Sequence, residues 1–518
     1  MMFTTPEFFI FLVVVILLIE LIRSHLWQQI ILIVASYFFY WWSGSIHVLL
    51  LAFVTIASYL IGRQLQKAND AGIAAGERTV KEVLDRKGRT EIQTTWSGKA
   101  KRNRKIWLVI GTVIPLGVLA YFKYIDFGIT QINNITALFG APAIPLLNVA
   151  LPIGISFFTF QALSYVFDIY LGKIEHEKKF HRYILFIAFF PALVAGPIVR
   201  ASEFLPQLKN KIKITAPNLQ AGLTLIAWGL FKKMVIADNV AYYVNTVFDN
   251  PSGYSSLYIV GATILFGIQI YCDFSGYAHI AIGIARIFGF KLPENFNLPY
   301  IAHNFQDFWR RWHMTLSRFI RDYVYIPLGG NRKGHGRTYV NLIVAMLLCG
   351  LWHGAAWTFI IWGAYHGILQ AIERFIVTDK KIGTKSKFLA SNPALFGKIL
   401  VTQIFVFFGW MIFRVNSLDD LVICCQKLFS FDILSTSGSM RTALLGCVAA
   451  GILGMVLFFV LLFNKKFANG VKKIVTYNYL GLISNVKLRY WLIFIIVMVA
   501  AVLLLSPSET PEFIYFAF

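Results

Sequence analysis

Leu348-Cys349-Gly350-Leu351-Trp352-His353-Gly354 places one ionisable side chain inside a strongly apolar run. An ionisable group inside a membrane segment is costly and by default marks a site. Gly354, Ala355 and Ala356 follow it, small residues that let another backbone or a ligand come close. The bland alternative is a histidine hydrogen-bonded across helices as structural glue, and position alone fits both readings. Upstream lies a run dense in aromatic and basic residues, Asn304-Phe305-Gln306-Asp307-Phe308-Trp309-Arg310-Arg311-Trp312-His313. A Gly-rich basic turn, Pro327-Leu328-Gly329-Gly330-Asn331-Arg332-Lys333-Gly334, separates the two.

The run at 348–354 belongs to a chain built the same way from end to end. Of its 518 residues 57% are hydrophobic and only 14% charged, against roughly a quarter charged in soluble domains. Apolar runs near the ~20 residues that cross a bilayer recur throughout. The fold class is therefore all-α: a polytopic transmembrane helical protein of roughly ten to thirteen segments. Long unbroken apolar runs, rather than short alternating strands, exclude a β-barrel. The formal charge of +23 would suggest nucleic acid in a soluble protein. Here the lysines and arginines sit between apolar spans, as the positive-inside bias of cytoplasmic loops requires. The five cysteines show no metal-ligand or Cys-x-x-Cys spacing and read as packing residues.

Taken in order, the first spans are expected at about 8–23, 30–42 and 48–61. Residues 63–105 form a polar, basic stretch, expected to be a cytoplasmic loop, which puts the N-terminus outside. The start has no basic region before its apolar run, so residues 8–23 read as a retained span. Pro191, Gly196 and Pro197 break the hydrophobic stretch 183–199, which reads as re-entrant or cavity-lining. Further spans are expected within 219–248 and 257–288, and at about 399–413, 443–463 and 491–505. The expected domain organisation is a single membrane-embedded domain, 1–518.

On a helix over 304–322, Phe305, Phe308, Trp309, Trp312, Leu316, Phe319 and Ile320 share one apolar face. Gln306, Arg310, His313 and Ser317 line another flank, and the whole resembles an interfacial amphipathic helix. A buried imidazole is kept neutral and can take a proton from a hydroxyl within reach, chemistry suited to acyl transfer. His366 and His279 read as structural. Asp273 is expected to pair with a basic partner or a helix end, and Asp168 and Lys123 to snorkel at span ends.

Several ordered segments resemble the membrane-bound O-acyltransferase family, in particular its bacterial alginate O-acetyltransferase branch. They are Phe308-Trp309-Arg310-Arg311-Trp312-His313 with Leu316-Ser317, Arg321-Asp322-Tyr323, Tyr325-Ile326-Pro327-Leu328-Gly329-Gly330, and Leu351-Trp352-His353-Gly354. Residues 151–160, 193–207 and 271–290 agree. Ala278-His279 and the long basic stretch at 63–105 depart from the branch's pattern. The resemblance implies a tunnel through the membrane faced by two histidines. His353 matches the family's catalytic histidine, a general base, and His313 its second, positioning the donor or stabilising the oxyanion. It further implies acetyl-CoA as the cytosolic co-substrate, with Arg332, Lys333 and Arg337 as a patch for its phosphates. No metal and no bound cofactor are implied. The acceptor would be an extracytoplasmic polysaccharide such as alginate, reached through a periplasmic SGNH-type acetyltransferase, and the location the inner membrane. The alternatives are peptidoglycan O-acetylation, D-alanyl transfer by the same fold, and a transporter using the broken segment and Asp273.

Overall fold

The computed structural model describes residues 1–44, 46–84, 90–380, 392–430, 486–508, 511, 513 and 514. It is helical almost throughout, and the chain folds as two compact units: 1–213 with 290–292, and 214–289 with 293–518. Among the described residues, six helices are long and apolar enough to cross a membrane: His47–Ala74, Gly98–Phe139, Ala216–Phe248, Ser256–Ile287, Ala394–Arg414 and Leu488–Leu505. The span expected at 443–463 lies outside the described residues.

In the first unit, α1 (Pro6–Leu21) and α2 (His25–Ser43) precede the long α3 (His47–Ala74) and α4 (Gly98–Thr136). Then come α5 (Ile155–Tyr170), α6 (Phe180–Ala188), α7 (Phe190–Leu193) and α8 (Ala201–Phe204). The apolar stretch 183–199 is broken as its prolines require: α6 ends at Ala188, Phe189 leaves helical geometry, and Pro191 sits in the first turn of α7. Residues 63–105, expected to be a loop, are mostly regular structure. Helix α3 runs on to Ala74, and β1 (Arg78–Leu84) pairs antiparallel with β2 (Thr90–Trp96) before α4 begins at Gly98. Polarity marked this stretch as outside lipid but did not distinguish a ladder from a loop. Buried Arg104 ties the base together: it donates to Asn69 Oδ1 and the Tyr170 carbonyl and lies over the Trp96 ring. Asp168 is fully buried rather than snorkelling, paired with Lys173 at 3.3 Å and accepting from Ser202 at 2.8 Å.

The second unit opens with α9 (Ala216–Leu230), a π-helical turn over Phe231–Ala237 and α10 (Asp238–Phe248), packed on α11 (Ser256–Ile287). Glycines set the approach of α9 to α11. A Cβ on Gly229 would sit 2.6 Å from the Gly276 carbonyl, and one on Gly276 would sit 2.8 Å from that of Gly229. Only residues without side chains permit this backbone contact. The π turn brings two consecutive lysines inside. Lys233 meets Asp238 at 2.6 Å and Asp273 at 3.0 Å, giving Asp273 the basic partner expected of it. Lys232 donates to Ser275 Oγ at 3.2 Å and lies over the Trp228 and Tyr271 rings. Pro511 and Ile514 close on the same cluster, Lys233 donating to the Pro511 carbonyl and Ile514 N–H to Asp273.

Candidate active site

The helix expected over 304–322 is in fact two, α12 (Phe305–Arg311) and α13 (Met314–Ile320), followed by a π turn over Arg321–Tyr325. Trp312 is extended and His313 is left-handed, with φ of 42°. Such a backbone is uncommon outside glycine and costs about 1–3 kcal/mol. The break has a cause outside the segment. The Asn295 carbonyl takes the Met314 N–H at 2.9 Å, a donor that a continuous helix would send to Arg310. Phe308, Trp309, Trp312, Leu316, Phe319 and Ile320 of the expected face are still buried, while Phe305 is half-buried.

At this break the His313 ring is fully buried. Its Nδ1 lies 3.0 Å from Asn295 Oδ1, which also takes the Thr315 hydroxyl at 2.8 Å and the Thr315 N–H at 3.3 Å. Phe274 meets the imidazole edge-on at 4.7 Å between centroids, and Trp352 lies at 5.8 Å.

His353 is the last residue of α14 (His335–His353), whose neighbour is α15 (Trp357–Glu373). The two helices touch backbone to backbone: a Cβ on Gly350 would strike the Phe359 carbonyl, and one on Gly363 would strike that of Met346. This closeness brings Trp362 of α15 edge-on to His353 at 5.0 Å. Trp352 at 4.8 Å and Phe413 at 5.2 Å, the latter from α16 (Asn392–Arg414), complete an aromatic box. The two histidines are thus joined through one indole, that of Trp352. His366, one helical turn beyond Trp362, is also buried and stacks on Phe308.

A cavity of about 450 Å³ opens between these elements. Its wall includes Met314, next to His313, and Cys349, one turn before His353, while neither imidazole is among the lining residues. Arg310, Arg318, Arg321 and Arg374 line it with one carboxylate, Glu373, and Arg321 also pairs with Asp322 at 2.6 Å. That carboxylate is already engaged, accepting the Phe305 and Gln306 N–H groups at the start of α12 at 2.7 and 3.3 Å. Several guanidinium groups around a partly enclosed space suit a multiply charged anion. Gln306, Arg310 and Ser317 of the polar flank read from the sequence face this cavity.

Arg332, Lys333 and Arg337 stand elsewhere. All three are exposed on and just after the turn that leads into α14, and none lines the cavity. Nearby, His335 pairs with Asp379 at 2.9 Å and Tyr339 donates to the same carboxylate at 2.5 Å. The Tyr339 hydroxyl and then His335 hold the Asp379 carboxyl below its usual range. Sequence reasoning missed the cavity arginines 318, 321 and 374, the aromatic walls Trp362 and Phe413, and Asn295. The arginines carried a signal: Arg318 follows Met314 by four residues, Arg321 follows Arg318 by three, and Arg374 follows Gln370 by four, the spacings of one helix face within each element.

The family profile described as MBOAT, membrane-bound O-acyltransferase family, matches residues 175–416. The chain is 38% identical over 401 residues to the probable alginate O-acetylase AlgI of Pseudomonas aeruginosa, covering 77% of this chain and 69% of that protein. The chain belongs to the membrane-bound O-acyltransferase family. It is 41% identical over 345 residues to a peptidoglycan O-acetyltransferase of Helicobacter pylori, covering 61% of this chain and 63% of that one. With the teichoic acid D-alanyltransferase of Bacillus subtilis it shares 32% over 339 residues, covering 60% of this chain and 82% of that one. This member of the membrane-bound O-acyltransferases is an acyltransferase enzyme and a multi-pass membrane protein.

Proposed function

We propose that this acyltransferase passes an acetyl group from acetyl-CoA in the cytosol toward hydroxyls of an extracytoplasmic polysaccharide, with His353 as general base. The observation that carries the reading is the arginine-lined cavity whose wall includes Met314, next to His313, and Cys349, one turn before His353. Its four guanidinium groups suit the phosphates of the donor, and its inner wall at Met314 and Cys349 would receive the thioester end. The acceptor hydroxyl gives its proton to His353 as its oxygen bonds to the thioester carbonyl carbon. The carbon–sulfur bond then breaks, and the departing thiolate takes the proton back from the imidazolium, so that proton and electron pairs balance. Arg332, Lys333 and Arg337 would meet the donor outside the cavity, during encounter rather than in the bound state.

The chain sits in the inner membrane with its N-terminus outside on this reading, since the basic residues of 63–105 then face the cytosol. An alginate-like exopolysaccharide is the first choice of acceptor, supported by the relatives named alginate O-acetylases. A periplasmic SGNH-type partner would complete delivery to the polymer. Peptidoglycan is the second reading, favoured by the Helicobacter pylori relative. The test is to supply membranes containing the chain with acetyl-labelled acetyl-CoA and follow the label. Base-labile label in secreted polysaccharide is expected. Label in peptidoglycan alone would move the acceptor to the second reading, and no transfer from acetyl-CoA would reject the donor.

A further inference from the structure

We infer that Asn295 is a positioning residue that holds His313 in its Nδ1–H form, with the ring's lone pair on Nε2. The inference rests on the acyl-transfer reading only for the rate that the tautomer is expected to affect. The tautomer itself follows from hydrogen-bond bookkeeping within residues 295–317.

Asn295 is 1% exposed, in the loop between α11 and α12. Three groups converge on one atom of its side chain: His313 Nδ1 at 3.0 Å, Thr315 Oγ1 at 2.8 Å and Thr315 N at 3.3 Å. A backbone N–H can only donate, so the amide atom facing it must be the oxygen and not the nitrogen. This fixes the side-chain orientation, which is otherwise a matter of assignment. An amide oxygen can only accept, so the His313 nitrogen that meets it must carry the proton. Burying a charged ring beside Phe274, Phe296 and Trp352 is costly. The resting ring is therefore neutral, with its single N–H spent on Asn295 and its lone pair on Nε2.

Main-chain geometry reinforces the assignment. The Asn295 carbonyl holds Met314 N–H at 2.9 Å, and the His313 carbonyl takes Ser317 N–H at 2.9 Å. The left-handed residue between them is thus pinned from both sides, and its ring cannot turn without releasing bonds. One residue on one loop therefore sets both the strained backbone of His313 and the proton on its ring.

This changes what His313 can do. Stabilising an oxyanion requires a donor, and a neutral ring with Nδ1–H offers none at Nε2. In this form Nε2 can only accept a hydrogen bond, and it gains a donor only after the ring takes up a proton.

The test is nitrogen NMR of ¹⁵N-histidine-labelled full-length protein in nanodiscs, with His313 identified by the signals lost in His313→Gln. A protonated Nδ1 and an unprotonated Nε2 at His313 are expected, and a protonated Nε2 with bare Nδ1 would overturn the inference. Asn295→Ala should lose the fixed tautomer and lower kcat by about 10- to 100-fold with the donor KM within about twofold. Asn295→Asp keeps the acceptor oxygen and should restore both the tautomer and most of the rate. Asn295→Ala with an unchanged spectrum and rate would remove the positioning role. Because the wild-type spectrum needs no turnover, it stands or falls separately from the acyl-transfer reading.

Discussion

His313 and His353 are held in opposite ways. His353 ends a regular helix and is gripped by aromatic faces, in a seat that exists because glycines let α14 and α15 touch. His313 sits at a helix break in a strained conformation, gripped by hydrogen bonds from a residue 18 positions upstream. The aromatic faces fix where the His353 ring lies, and the bond to Asn295 fixes which nitrogen of His313 bears the proton. Each ring needs a direction as well as a place, since an imidazole takes a proton only on the nitrogen whose lone pair faces it.

The contrast can be broken from the His353 side first, where the largest effect is expected. Trp362→Ala empties one wall of the box and removes a fully buried indole. It should cost about 3–5 kcal/mol in stability, seen as a lower midpoint of thermal unfolding in detergent, with kcat falling alongside. An unchanged midpoint would mean that packing does not hold His353.

The donor side comes next. Arg318→Ala or Arg321→Ala should raise the donor KM by about tenfold, the size of one lost charge-assisted hydrogen bond. Arg332→Ala and Lys333→Ala should leave it within about twofold, since both side chains are exposed away from the cavity. The reverse ranking would return the phosphate site to the turn.

The smallest effect tests the strained seat of His313. Both His313→Gly and His313→Ala should lose activity, yet the glycine variant should be the more stable by about 1 kcal/mol, because only alanine retains the left-handed penalty. Equal stabilities would show that the backbone at 313 relaxes freely.

How much of this could be read beforehand depended on the range over which each cue acts. Membrane character was legible because apolar runs recur everywhere, and the break at 183–199 because Pro191 lies inside it. The partner of Asp273 was anticipated in kind, since a buried carboxylate must find one. The break at His313 was hidden, because the apolar spacing continues through Trp309, Trp312 and Leu316 on both sides of it. Its cause, the carbonyl and amide of Asn295, acts from a separate loop and leaves no periodic trace. The strand pair within 63–105 was hidden differently: charge reports where a segment lies and says nothing of its hydrogen bonds. His353 drew attention because it is an imidazole in an apolar run followed by small residues. Its walls did not, because Trp362 and Phe413 look like ordinary lipid-facing aromatics until α14, α15 and α16 are brought together.

The measurement that bears most directly on the account is the ester-linked acetyl content of envelope glycans. It compares cells making the wild-type chain with cells making His353→Ala at equal membrane abundance. A base buried at that position predicts loss of the acetyl esters to the level of cells lacking the protein. Acetylation persisting near the wild-type level in the His353→Ala cells would contradict it.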